Sequence, residues 1–270
     1  PEHTVAGFVS GTSVATLSGL AAARFRQLQK LGWDVNQQGL FGAPRIRLIL
    51  GKQTHGTVAK AISLLGFGQS SIEWVDCDKQ GRLIVEHLPQ LDQSCILVLQ
   101  AGNVNSGAFD NFTQLCQLAN KAHAWVHIDG AFGLWAKASI VFDKQTQGIE
   151  LADSWSVDPH KTLNTPYDCG IVLCKDAQAL TSALHQQGSY IQFSEQRDGL
   201  LYTPEMSKRA RAIELWAAMK YLGRAGIAEL VEQLHNYAQL FARLLTENDF
   251  VVLNEVIFNQ VIISCETEQL

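Results

Sequence analysis

Short runs of consecutive apolar residues alternate along the chain with stretches in which apolar positions recur every three or four residues. The short runs are IRLIL (46–50), SIEWV (71–75), CILVLQ (95–100), WVHID (125–129), DSWSVD (153–158) and GIVLC (170–174). CILVLQ is apolar almost throughout, as expected of a strand buried on both faces. The helical stretches are 12–31, stopped by Gly32, then 55–65, stopped by Gly66, and 111–123. After Pro204 the pattern turns helical over 204–226 and 227–245, and FVVL and FNQVIIS predict a small terminal β element. Strands alternating with helices predict an α/β fold, a mostly parallel sheet flanked by helices on both faces. The alternation stops near 205–225. The expected organisation is therefore a large α/β domain over 1–205, then a helical connection and the start of a smaller α+β unit over 206–270.

Composition narrows the classes. The chain has 270 residues, 47% of them hydrophobic, which is too apolar for a disordered chain. A net charge of −5 offers no basic face for nucleic acid, and no run of about 18 apolar residues predicts a membrane span. Only 17% of residues are charged, below the roughly 25% of a soluble domain. That deficit predicts surface buried against another subunit. The cysteines (Cys77, Cys95, Cys116, Cys169, Cys174 and Cys265) form no C-x-x-C pair and mostly sit in apolar runs, so a reducing, cytoplasmic setting is expected. The chain opens at Pro1 and closes just after VIISC, which reads as a piece of a longer protein.

In open α/β sheets ligands sit beyond the C-terminal ends of the strands. The candidate chemistry falls there. Lys161 follows a strand run beside His160, in VDPHKTLNTPYDCG (157–170). An isolated lysine is ordinarily a surface residue. Here the neighbours Trp155, Val157 and Leu163 are apolar, and a buried amine has a lowered pKa and attacks carbonyls, the chemistry of a Schiff base. Asp129 ends the strand WVHID and precedes Gly130 and Ala131. It is either a turn residue or a carboxylate aimed into the cleft, where it would keep a ring nitrogen protonated. Thr12 and Ser13 lead a Gly/Ser/Thr run into a helix, a phosphate-binding arrangement as well as an ordinary cap. His55 stands between a strand and a helix, either structural or stacked on a flat ring. Asn103 and Asn105 follow CILVLQ in a polar loop, as ligand contacts or turn formers. A phosphate cradle, a ring stacker, a carboxylate and a nucleophilic lysine together describe a site for pyridoxal 5′-phosphate. A nucleotide-binding Rossmann protein is the rival of another class, but no G-x-G-x-x-G follows a strand.

The set SGTSVATL, His55, AGNVNSGAFD, HIDGAFG and DPHKTLNTPYDCG resembles the group II pyridoxal-phosphate-dependent amino acid decarboxylases, which include glutamate and aromatic amino acid decarboxylases. The resemblance runs from about residue 5 to 265. It implies the aspartate aminotransferase-like fold type I and a homodimer with a shared active site. The implied reaction takes an L-amino acid to its amine and carbon dioxide through a lysine Schiff base. It implies that Lys161 carries the Schiff base, Asp129 pairs with the pyridinium nitrogen, Ala131 packs under the ring and His55 stacks above it. Thr12, Ser13 and His160, with Asp158 beside them, would hold the phosphate. The family often has Asn where Asp158 stands, and an extra carboxylate near a phosphate needs another partner. Much of the family reads Gly-Thr-Thr where this chain has Gly102-Asn103-Val104, so Asn103 or Asn105 would supply the lost contact. Tyr190 falls in a Gln/Ser/Gly-rich segment, 185–199, placed like the family's mobile loop with its catalytic tyrosine. Lys208, Arg209 and Arg211 are expected on the first half of a helix, as a solvated face, a subunit contact or an anion site. Another carbon–carbon lyase, an aminotransferase or an inactive fragment remain open on the same fold.

Overall fold

The computed structural model describes residues 3–184 and 197–264. In chain order the strands are β1 (Val5–Val9), β2 (Arg47–Gly51), β3 (Ile72–Val75), β4 (Cys95–Gln100), β5 (Trp125–Asp129), β6 (Ser154–Val157), β7 (Gly170–Cys174), β8 (Val251–Val252) and β9 (Ile263–Ser264). The α-helices are α1 (Thr12–Lys30), α2 (Val35–Gln38), α3 (Gly56–Leu64), α4 (Phe112–Lys121), α5 (Asp143–Thr146), α6 (Pro159–Thr162), α7 (Ala177–Leu184) and α8 (Ala212–Thr246). Seven strands form one sheet in the order β1-β7-β6-β5-β4-β2-β3, and β8 pairs with β9 alone.

The apolar runs become strands because both faces of the sheet are covered. On β4, Ile96 and Val98 join one core with α1, α3 and α7 residues. Cys95, Leu97 and Leu99 join the opposite core with α4 residues, Phe142 and Phe258. Every residue of β4 and β5 is buried. α1 lies close on the sheet because its inner face is built from small residues such as Ala15, Ala22 and Ala23. Gly19 is the tightest point: a Cβ there would sit 2.7 Å from the His127 ring.

The sheet is mostly parallel, as expected, with β7 antiparallel to both β6 and β1. The link from β6 to β7 contains only the single turn of α6, and without a full crossover helix the chain returns alongside its own strand. β1 is a strand that the pattern did not single out. It is an edge held by five paired positions on β7. Lys208, Arg209 and Arg211 precede α8 rather than lying on it. Arg209 and Arg211 each place Nε 3.1 Å from Asp168 Oδ1, which draws this stretch onto the β7 approach instead of into a helix. α8 itself is interrupted at Gly223, whose φ of 61° leaves the helical region.

Candidate active site

A cavity of about 400 Å³ opens beyond the C-terminal ends of β4, β5 and β6. It is lined by Thr12, Ser13, His55, Asp129, Ala131, Asp158, His160 and Lys161, so eight of the ten sequence candidates meet there. Of the other two, Asn103 is placed elsewhere and Tyr190 lies outside the described residues.

One wall is the start of α1. Gly11 precedes the helix without a side-chain cap, which leaves its first amides to other partners. Thr12 N–H donates to Asp158 Oδ1 at 2.6 Å. Thr12 Oγ1 is buried with no hydrogen-bond partner among the described residues. β7 begins against this turn: a Cβ on Gly170 would lie 2.4 Å from Gly11 Cα, so only glycine fits.

The second wall is the end of β6. Asp158 precedes α6 without a side-chain bond to it, and Pro159 occupies the first turn, where a missing N–H costs nothing. The Asp158 side chain is only 4% exposed, with Oδ2 at 3.2 Å from Lys161 Nζ and 3.5 Å from His160 Nε2. Cys169 N–H donates to His160 Nδ1 at 3.1 Å, which fixes the ring proton on Nε2, facing Asp158. Lys161 is not the buried amine that its apolar neighbours suggest. Its side chain is 42% exposed and opens on the cavity, because Trp155 and Val157 turn into the cores while the α6 turn lifts the lysine clear.

Asp129 closes β5. It is buried, and Oδ1 accepts from Ala131 N–H at 3.2 Å. Burial pushes its pKa above the ordinary carboxylate value, against the pull of that amide and of the Lys161 and His55 charges. His55 has a structural role and also borders the cavity. Nδ1 accepts from Thr57 N–H at 3.3 Å as the cap of α3, while the exposed ring lines the cavity.

Asn103 is spent on its own turn. Oδ1 accepts from the Asn105 and Ser106 amides at 3.0 and 3.2 Å, and the next residue, Val104, faces the cavity instead. Neither asparagine lines the wall. Tyr167, which sequence reasoning missed, does. Its ring stacks on His160 at 4.0 Å between centroids and is 75% exposed. An aromatic six residues after the lysine, in an otherwise polar loop, was the available signal.

Under the floor runs a buried polar chain. Trp125 Nε1 donates to Ser154 Oγ at 3.0 Å, and Ser154 Oγ lies 2.8 Å from His127 Nδ1. His127 Nε2 lies 3.4 Å from Ser156 Oγ, which is 2.9 Å from Thr16 Oγ1 on α1. Burial drives the His127 pKa down to about 3, so the ring is neutral.

Fold and site define an α/β, fold type I-like protein that offers a lysine, a buried carboxylate and a helix start to one small ligand. The pyridoxal-dependent decarboxylase conserved domain matches residues 2–265, and the chain belongs to that family. An aromatic-L-amino-acid decarboxylase of Bacillus atrophaeus is 32% identical over 246 residues, 86% of this chain and 49% of the relative. An aspartate 1-decarboxylase of Aliivibrio fischeri is 28% identical over 94% of this chain and 49% of its own length. A crystal structure of Oryza sativa TDC with PLP and tryptamine superposes with a TM-score of 0.88 at 26% identity, over 98% of this chain and 56% of that one. The chain thus spans about half the length of these relatives. The residues present fit the cofactor in the family's description. The unpartnered Thr12 hydroxyl and the α1 start suit a phosphate, Asp129 suits a ring nitrogen, and Lys161 suits an aldehyde.

Proposed function

We propose that this chain holds pyridoxal 5′-phosphate and serves in converting an L-amino acid to its amine and carbon dioxide. The carrying observation is that Lys161, Asp129 and the α1 start all line one cavity. Lys161 would hold the cofactor through its aldehyde. Asp129 would hold a proton on the ring nitrogen, and its burial keeps water from screening that interaction. Ala131 and His55 would bracket the ring, while Thr12, Ser13 and His160 would take the phosphate. When bound, the cofactor supplies an electron sink for the pair left as carbon dioxide departs. Tyr190 is assigned the return of a proton to the substrate carbon. The opposing roles for the same lysine and carboxylate, in an aminotransferase or another carbon–carbon lyase, differ in product: a keto acid, or a cleaved side chain, rather than carbon dioxide and an amine.

The reading includes a cytoplasmic homodimer with a shared site. Exposed Ile140, Ile213, Trp216 and Tyr221 support association, and five unpaired cysteines among the described residues suit a reducing compartment. Pyridoxal 5′-phosphate added to the full-length protein is expected to give a visible absorbance band that Lys161→Ala removes. A band unchanged in that variant would refute the assignment, and release of carbon dioxide across an amino acid panel then identifies the substrate.

A further inference from the structure

Asp158 stands among the groups that the proposed cofactor's phosphate needs. Its side chain is nearly inaccessible, one oxygen holds the first amide of α1 and the other holds the Lys161 ammonium. A phosphate at the same helix start would bring a second anion within a few ångströms, where water screens little. The positions from which Asp158 could retreat are limited, because its backbone is fixed on both sides. Its N–H donates to Ala131 O at 2.8 Å, and its carbonyl accepts from Trp135 Nε1 at 3.2 Å.

We propose that Asp158 is a built-in anionic occupant of the phosphate cup, which caps α1 and tethers Lys161, and against which the cofactor's phosphate must compete. This rests on the cofactor reading above. It assigns the carboxylate a role opposite to that of Thr12, Ser13 and His160. They draw the phosphate in; Asp158 lowers its affinity and keeps the lysine paired until the cofactor arrives. Charge, not shape, is the active property, so a neutral side chain of the same size should tighten phosphate binding while still capping the helix.

The test compares pyridoxal 5′-phosphate with pyridoxal, which has the same aldehyde and ring but no phosphate, on the full chain and on Asp158→Asn. Tryptophan fluorescence follows binding, and borohydride reduction with peptide mapping locates the adduct. The ratio of the two dissociation constants isolates the phosphate's contribution, since any change in Lys161 reactivity affects both aldehydes alike. At pH 8 the ratio is expected to rise about tenfold or more in Asp158→Asn. The rise shrinks at pH 5, where a phosphate ester with a second pKa of about 6 has lost one charge. A ratio that stays the same or falls, or an equal change at both pH values, overturns the proposal and leaves Asp158 a cap alone. Asp158→Ser, a smaller neutral cap checked for native circular dichroism, must give the same rise should the first variant not fold. An adduct on Lys161 with an unchanged ratio removes this inference and spares the cofactor reading. No adduct on Lys161 with either aldehyde removes both.

Discussion

The ends of β5 and β6 carry the same residue in adjacent strands and treat it in opposite ways. Asp129 is buried with one amide donor, and its desolvation outweighs the charges around it. Asp158 is equally buried but has the Thr12 amide, Lys161 and His160 within reach. The first carboxylate is left short of partners and is available to a ligand. The second is committed to the fold. Burial alone therefore does not tell these two aspartates apart; the number of their partners does.

The largest expected effect tests the first half of that contrast. Asp129→Ala in the full-length protein should lower kcat by about 10²–10³, the scale of losing one preorganised electrostatic group; a steady-state rate near wild type would erase the distinction. Next comes the histidine beneath both strand ends. A His127 pKa of about 3 in the fold lies below its unfolded value near 6.5. The unfolded chain then binds one proton more, so this contribution is present in full above pH 6.5 and is lost as pH falls toward 3. Denaturation across that range should show His127→Asn with a shallower slope, by about one proton, and an equal slope in both proteins would place the ring elsewhere.

The two aspartates themselves should move stability in opposite directions. Asp158→Ala removes the cap on α1 at a cost of about 1 kcal/mol, lowering the melting temperature by about 2–4 °C. Asp129→Asn should instead raise it at pH 7. The sign follows because the folded pKa of Asp129 is raised: its ionised form burdens the fold above the ordinary carboxylate range, and the burden vanishes below about pH 3.9. Calorimetry at pH 7 and pH 3 resolves both, and shifts of the same sign would break the comparison.

How far the sequence discloses this site depends on whether the determining interactions are local. Cys95–Gln100, Trp125–Asp129 and Gly170–Cys174 announce themselves, since a strand covered on both faces needs apolar residues at every position. Asp129, His160 and Lys161 are legible for a related reason: polar groups directly after such strands reach the sheet's ligand-binding edge. The direction of β7 is not legible, because an apolar run carries no sign of which way it travels. β1 escapes notice because its pairing is with a strand some 160 positions later. Asn103 and Val104 exchange roles through the geometry of a turn that the amide itself builds. The exposure of Lys161 depends on a single helical turn, which residue patterns do not register.

The bond between Thr12 and Asp158 spans 146 positions. A nascent chain that has emerged only through α4 already owns the helix start, the β4 end and His55, yet none of the carboxylates or amines that complete them. Closing so long a loop is slow and comes after local helices have formed. A vitamin-derived group held by both halves of this site would therefore be captured only after the last central strands had docked.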